Sequence, residues 1–164
     1  MADAVVKSDP TEALIASLAM PDATWAKPAR EDALARVRTM GLPQRRDEYW
    51  KYTRPDTLTQ IGAPKAAVLV TDEAPMFDAV DRLRIVFVDG VYDAEASDDL
   101  SLEGVTIERL AAASSDLHWA TSVYGVLEAR GQTPVARPLA AVNTAFATDG
   151  VLIHVTGKPN KPIN

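Results

Sequence analysis

Apolar residues near the N-terminus recur at helical intervals, with Leu14, Ile15 and Leu18 on one stripe. Asp9-Pro10-Thr11-Glu12 precedes them. Asp9 suits the N-cap, Pro10 the first helical position, and Glu12 is placed to reach back in a capping box. Pro21 is expected to end this helix. A second starts near Pro28, where Ala33, Leu34, Val37 and Met40 form an apolar face against Arg30, Glu31, Arg36 and Arg38. Gly41 supplies its stop, Leu42 is placed to pack on the last turn, and Pro43 forbids continuation. Residues 54–65, which hold Pro55, Gly62 and Pro64, read as a connection.

Beyond that connection the pattern changes. Ala67 to Val70 is a short strand candidate, and Leu83 to Tyr92 carries an apolar run on each side of Asp89-Gly90. That dipeptide tolerates positive φ at both turn positions, so a two-residue hairpin is predicted. Ile85, Val86, Phe87 and Val88 are all apolar, which implies cover on both faces of the first strand. Asp93 to Asp99 reads as a solvated loop and Gly104 to Glu108 as a short strand. Ser114 or Ser115 caps a predicted helix with Leu117, Ala120, Val123, Tyr124 and Leu127 on one side, stopping at Gly131. A last short helix starts around Pro138 and presents Leu139, Val142 and Phe146. Asp149-Gly150 leads from it into a strand, Val151 to Val155, with Val151, Ile153 and Val155 on one face. Such a terminal strand needs a partner: it joins an earlier strand or begins a larger sheet outside this chain. Together these elements predict an α+β fold.

At 164 residues, 47% of them hydrophobic, the chain is long enough to bury a core. Its 17 Lys and Arg against 23 Asp and Glu give a net charge of -6, which disfavours a nucleic-acid backbone as partner. It has no Cys, so a disulfide framework, a thiolate zinc site and a cysteine-ligated cluster are excluded within these residues. The stretch Met1 to Lys7 lacks the basic start and apolar run of a signal peptide, and no window is long and apolar enough to span a bilayer. The expected location is cytoplasmic, with no membrane partner.

Candidate chemistry is sparse. His118 and His154 sit in no nucleophile, zinc or triad motif and read as structural or solvent-facing; a small hydrolase would require both to converge with a carboxylate. Asp72-Glu73 and Asp98-Asp99 are adjacent pairs on loops, which point in different directions and lack acid-base spacing. The eight glycines are scattered, so there is no phosphate-cradling loop. The densest segment is Gly41 to Thr53, with three aromatics and five charges in thirteen residues. Arg45, Arg46 and Lys51 interleaved with Tyr49, Trp50 and Tyr52 fit a basic-aromatic binding patch for a peptide or nucleic acid. The other reading is a structural clasp, in which Trp50 and Tyr52 bury their faces while Arg-carboxylate pairs, Asp47 and Glu48 among them, satisfy polar ends. The acidic balance of the chain favours the clasp, which can still form part of an interface.

Three segments, in order, resemble the SufD family of scaffold subunits in SUF iron-sulfur cluster assembly. They are Gly41 to Thr53 (GLPQRRDEYWKYT), Leu83 to Tyr92 (LRIVFVDGVY) and Val142 to Val155 (VNTAFATDGVLIHV). The sister SufB is less similar at the first segment. The resemblance implies an N-terminal helical region leading into a right-handed parallel β-helix that is largely missing from this chain. The expected division is a helical region at 1–65, a mixed region at 66–150 and the start of the β-helix at 151–164. It further implies a non-enzymatic subunit that works with SufB and the ATPase SufC, the cluster being handled by the full complex. No catalytic, cofactor or metal residue carries over. The residues singled out are Arg45, Arg46, Glu48, Trp50, Lys51 and Tyr52, as structural or interface candidates.

Overall fold

A computed structural model describes residues 9–62, 76–113 and 119–164. Among these residues the chain is mixed α and β, with four α-helices and four short strands, all paired antiparallel. Contacts group it into two compact units, Met1–Ala63 with Ser114–Ala147, and Pro64–Ala113 with Thr148–Asn164. The linear division at 65 and 150 cuts across these units. Ala67 to Val70 lies outside the described residues.

The first unit is helical. Helix α1 (Pro10–Ser17) begins as the sequence predicts, the Asp9 carboxylate accepting from the Thr11 N–H at 2.8 Å. Glu12 faces a different partner from that expected: its carboxylate meets Arg38 at 3.0 Å. The helix stops at Ser17, short of Pro21, and Leu18 is its C-cap. Eight residues are too few for an independent helix. It is held by packing on α2 (Lys27–Met40), where Ile15 meets Val37 and Leu34. Of the helix predicted from Ser114 or Ser115 to Gly131, residues 114–118 lie outside the described residues; the rest holds a single 3-10 turn at Trp119–Ser122 and then α3 (Val126–Arg130), with Gly125 between them. Val123 and Leu127, expected on its apolar side, are exposed. Helix α4 (Pro138–Phe146) packs on α2 through small residues: Ala33, Val37, Ala141 and Ala145 are completely buried. Leu139, Val142 and Phe146 are half-buried around that seam.

The main correction in this unit is Arg30. Predicted on the polar face, it is 1% exposed. It lies one turn before Ala33 and two before Val37, and so shares their face. Its guanidinium donates to the carbonyls of Ala145 (3.0 Å) and Ala147 (2.9 Å) and stands 5.4 Å from the Tyr124 ring centre. The Tyr124 hydroxyl donates to the Thr144 carbonyl at 2.8 Å. Helix α4 has no glycine stop, and its last carbonyls are therefore satisfied by side chains from elsewhere in the unit. A cation at that end is also favoured by the helix dipole. Burial lowers the pKa of Arg30, with Tyr124 opposing the shift, and burial raises that of Tyr124, with Arg30 opposing it.

The second unit is built from β-structure. Strands β1 (Phe87–Val88) and β2 (Val91–Tyr92) form the predicted hairpin, with Asp89 at φ 50° and Gly90 at φ 78° in its turn. The expected two-sided burial fails, since Val88 and Val91 face solvent. Strands β3 (Val105–Arg109) and β4 (Val151–Val155) pair antiparallel, Val105 with Val155 through Arg109 with Val151. Of the two outcomes expected for the terminal strand, it takes the first and joins an earlier strand. The segment Pro162 to Asn164 runs parallel to Leu83 to Ile85, exchanging three backbone hydrogen bonds of 2.8–2.9 Å. Leu83, Leu102 and Ile107 form the core, flanked by Ile85, Val105, Val151 and Ile163.

The acidic loop at residues 93–99, expected to be solvated, is instead tied in. Asp98 accepts from the Arg84 backbone N–H at 2.7 Å and from its guanidinium at 3.1 Å, and these contacts lower its pKa. The Ser97 hydroxyl accepts from the Val86 N–H. The acidic loop is therefore fastened to Arg84 and Val86 by side-chain and backbone hydrogen bonds.

Asp149 accepts from Arg109 and from the N–H groups of Ala111 (3.2 Å) and Gly150 (2.9 Å), and Arg109 stacks on Tyr92 at 4.4 Å. Burial alone would raise the Asp149 pKa; these donors outweigh it and hold the group below the usual carboxylate range. A depressed carboxylate stabilises the fold fully above its unfolded value of about 3.9 and loses that contribution as pH falls through the folded value. Asp149→Asn should therefore cost about 1–3 kcal/mol at neutral pH. The difference from the parent should shrink below about pH 4 in thermal melts followed by circular dichroism. An equal penalty at neutral and strongly acidic pH would contradict this account.

Candidate functional site

The Gly41 to Thr53 segment borders an open groove in the first unit, with a volume of about 580 Å³. Its first wall begins where α2 ends. The Gly41 N–H closes the helix on the Val37 carbonyl at 2.8 Å, and the Leu42 N–H donates to the Thr11 hydroxyl at 3.3 Å. Pro43 is buried beneath. The chain then turns, with the Asp47 carboxylate accepting from the Gln44 N–H at 2.8 Å, and enters a 3-10 turn at Glu48–Trp50. Tyr49 and Trp50 stand edge to face, their ring centres 6.0 Å apart.

The second wall is Pro134, Val135, Ala136 and Pro138, leading into α4. Its position is set by a run of polar contacts behind it. The Gln132 amide accepts from the Arg137 N–H and donates to the Arg137 carbonyl, so the intervening loop is clamped at its base. Gln132 also donates to Glu128, which pairs with Arg36 of α2. The walls are thus both fixed to α2, one covalently and one through this relay. Proline density at residues 134 and 138 was the available signal for the second wall, but nothing local tied it to residues 41–53.

The singled-out residues divide. Trp50 is half-buried in the groove wall, and Glu48 lines the groove while pairing with Lys51 at 3.5 Å. Arg45 and Arg46 are exposed and do not line the groove. Tyr52 is 93% exposed, with the Lys51 ammonium 5.6 Å from its ring centre. The clasp reading is corrected accordingly. Tyr52 buries no face among the described residues, and the carboxylates engage Gln44 and Lys51 rather than Arg45 and Arg46.

The remaining candidates do not assemble. His154 is exposed on β4 opposite Thr106. His118, Asp72 and Glu73 lie outside the described residues. Asp98 is committed to Arg84 while Asp99 is exposed. Among the described residues no group of three or more His, Asp or Glu is placed to hold a metal ion. No helix among them is long and apolar enough to cross a membrane.

Among the described residues the chain is a mixed α+β protein with an open groove in its helical unit. No protein-family model and no curated protein sequence matches it.

Proposed function

We propose that this chain is the N-terminal part of a SufD-like scaffold subunit, acting in iron-sulfur cluster assembly through complex formation with SufB and the ATPase SufC. The supporting observation is the presentation of the Gly41 to Thr53 segment. Its aromatic and charged side chains are spent on the surface and on an open groove, not on a core. Trp, Tyr and Arg are the residue types on which protein interfaces concentrate their energy. On this reading the subunit works by assembly and not by catalysis, in the cytoplasm, and the cluster belongs to the whole complex.

The test is co-purification. The protein carrying any sequence that follows Asn164, expressed with SufB and SufC, should be recovered with both in a stable complex. Recovery of neither would end the proposal.

A second reading, a peptide-binding module using the same segment, is favoured by the open groove and the exposure of Arg45, Arg46 and Tyr52. The nucleic-acid form of that reading is weakened, because Asp47 and Glu48 line the groove while Arg45 and Arg46 stand outside it.

A further inference from the structure

We propose that the groove between Tyr49-Trp50 and Pro134–Pro138 binds an extended, proline-rich peptide segment that carries a basic residue. The inference rests on the peptide-binding reading and is independent of assembly with SufB and SufC. Three features of the groove specify this ligand.

The first is the shape and chemistry of its walls. Two rings on one side, Tyr49 and Trp50, face a wall containing Pro134 and Pro138, with Pro43 at its foot. Flat aromatic and pyrrolidine surfaces suit the ridged apolar side of a polyproline II helix, which binds at low entropic cost because its conformation is already set.

The second is an uncommitted donor. The interactions of Trp50 among the described residues are backbone hydrogen bonds and the contact with Tyr49, so its indole N–H has no acceptor there. A polyproline II segment has no internal hydrogen bonds and presents its carbonyls outward. Trp50, which lines the groove, has that donor to offer.

The third is charge. Asp47 and Glu48 both line the groove, on a chain whose net charge is -6. The Glu48 partner, Lys51, is a solvent-exposed contact that a ligand cation can replace at little cost. The acidic rim selects Lys or Arg beside the prolines and repels phosphate. It also opposes a second copy of this acidic chain.

The probe is a labelled peptide of prolines with lysine at every third position, so that the ammoniums align on one edge of a helix with about three residues per turn. Titration of the 164-residue chain, read by fluorescence anisotropy, should show saturable binding. Trp50→Ala should weaken it by roughly tenfold or more. Combined Asp47→Asn and Glu48→Gln should weaken it about fivefold and remove most of its salt dependence. Trp50→Phe keeps a ring but loses the N–H, and should weaken binding about threefold in a protein whose circular dichroism is unchanged. The proposal is overturned if a peptide with alanine replacing every proline binds as tightly. It is equally overturned if the Trp50→Phe and acidic-rim variants bind like the parent, if a single-stranded oligonucleotide binds the groove in preference to the peptide, or if sedimentation shows the groove closed by self-association. Absence of binding with intact SufB and SufC assembly would sink this inference alone.

Discussion

Arg30→Ala should destabilise the first unit by about 3–5 kcal/mol, from the lost packing and the two lost hydrogen bonds. The parent side chain is 1% exposed and bridges two carbonyls at the end of α4. Alanine leaves a cavity between α2 and α4 and strands the buried Ala145 carbonyl, at a desolvation penalty of about 1–3 kcal/mol, while the part-buried Ala147 carbonyl also loses its donor. The replacement series separates the causes. Arg30→Met restores most of the volume without the donors, and Arg30→Lys restores one point charge without the planar fork that reaches two carbonyls. The expected order of stability is Arg, then Lys, then Met, then Ala. Urea unfolding followed by tryptophan fluorescence reports it directly, because Trp25 packs edge-on against Tyr124 at 5.5 Å, beside the site. An alanine variant within about 1 kcal/mol of the parent would show that the bridge does not hold the helices together.

Gly104→Ala is expected to have the next largest effect, a loss of about 2–4 kcal/mol confined to the second unit. Gly104 has φ +72°, and a Cβ there would lie 3.0 Å from the Gly157 Cα and 3.1 Å from the Lys158 nitrogen. The obstruction is backbone on both counts, so no side-chain rotation relieves it. The same close approach lets the Gly104 carbonyl accept from the N–H groups of Thr156 (2.8 Å) and Gly157 (2.9 Å), which closes the β3–β4 pair. Gly90→Ala is the matched control: its φ is +78° but nothing lies within 4 Å of the added carbon, so only the backbone strain of about 1–2 kcal/mol applies. Amide hydrogen exchange in β3 and β4 measures both. Equal protection in the two variants would show that the approach of residues 104 and 157 is not a constraint.

These two positions also mark where local reading stops. Asp9-Pro10, Pro28, Gly41 and Asp89-Gly90 act through their own backbone or their nearest neighbours, and the helix starts, helix stop and hairpin turn appear where the sequence places them. Arg30 sits at the right spacing to share the face of Ala33 and Val37. A sequence rule nonetheless assigns arginine to solvent, because burying it requires acceptors, and its acceptors are 115 and 117 residues away. The same reasoning covers the acidic loop at residues 93–99. Its carboxylates look solvated until Asp98 meets Arg84, 14 residues earlier.

The candidate site divides in the same way. The Gly41 to Thr53 segment stands out in the sequence by density alone, and Trp50 and Glu48 do line the groove. Tyr52 does not become an anchor, because a ring is buried by what packs over it and not by its neighbours in the chain. The second wall is invisible locally, since Pro134 and Pro138 reach it through the Gln132, Glu128 and Arg36 relay.

The sequence by itself determined the α+β class, the starts of α1, α2 and α4, the stop of α2 at Gly41, the hairpin and the segment that borders the groove. Period, capping and turn chemistry act over a few residues, and a single strand of text contains them. Only the tertiary structure decided that β4 pairs with β3, that Arg30 and Tyr124 cap α4, that Asp149 gathers Arg109 and two backbone donors, and that two proline-rich and aromatic walls face each other. Those features depend on partners brought together by chain closure, and no local propensity encodes which distant group will satisfy a buried charge or complete a groove.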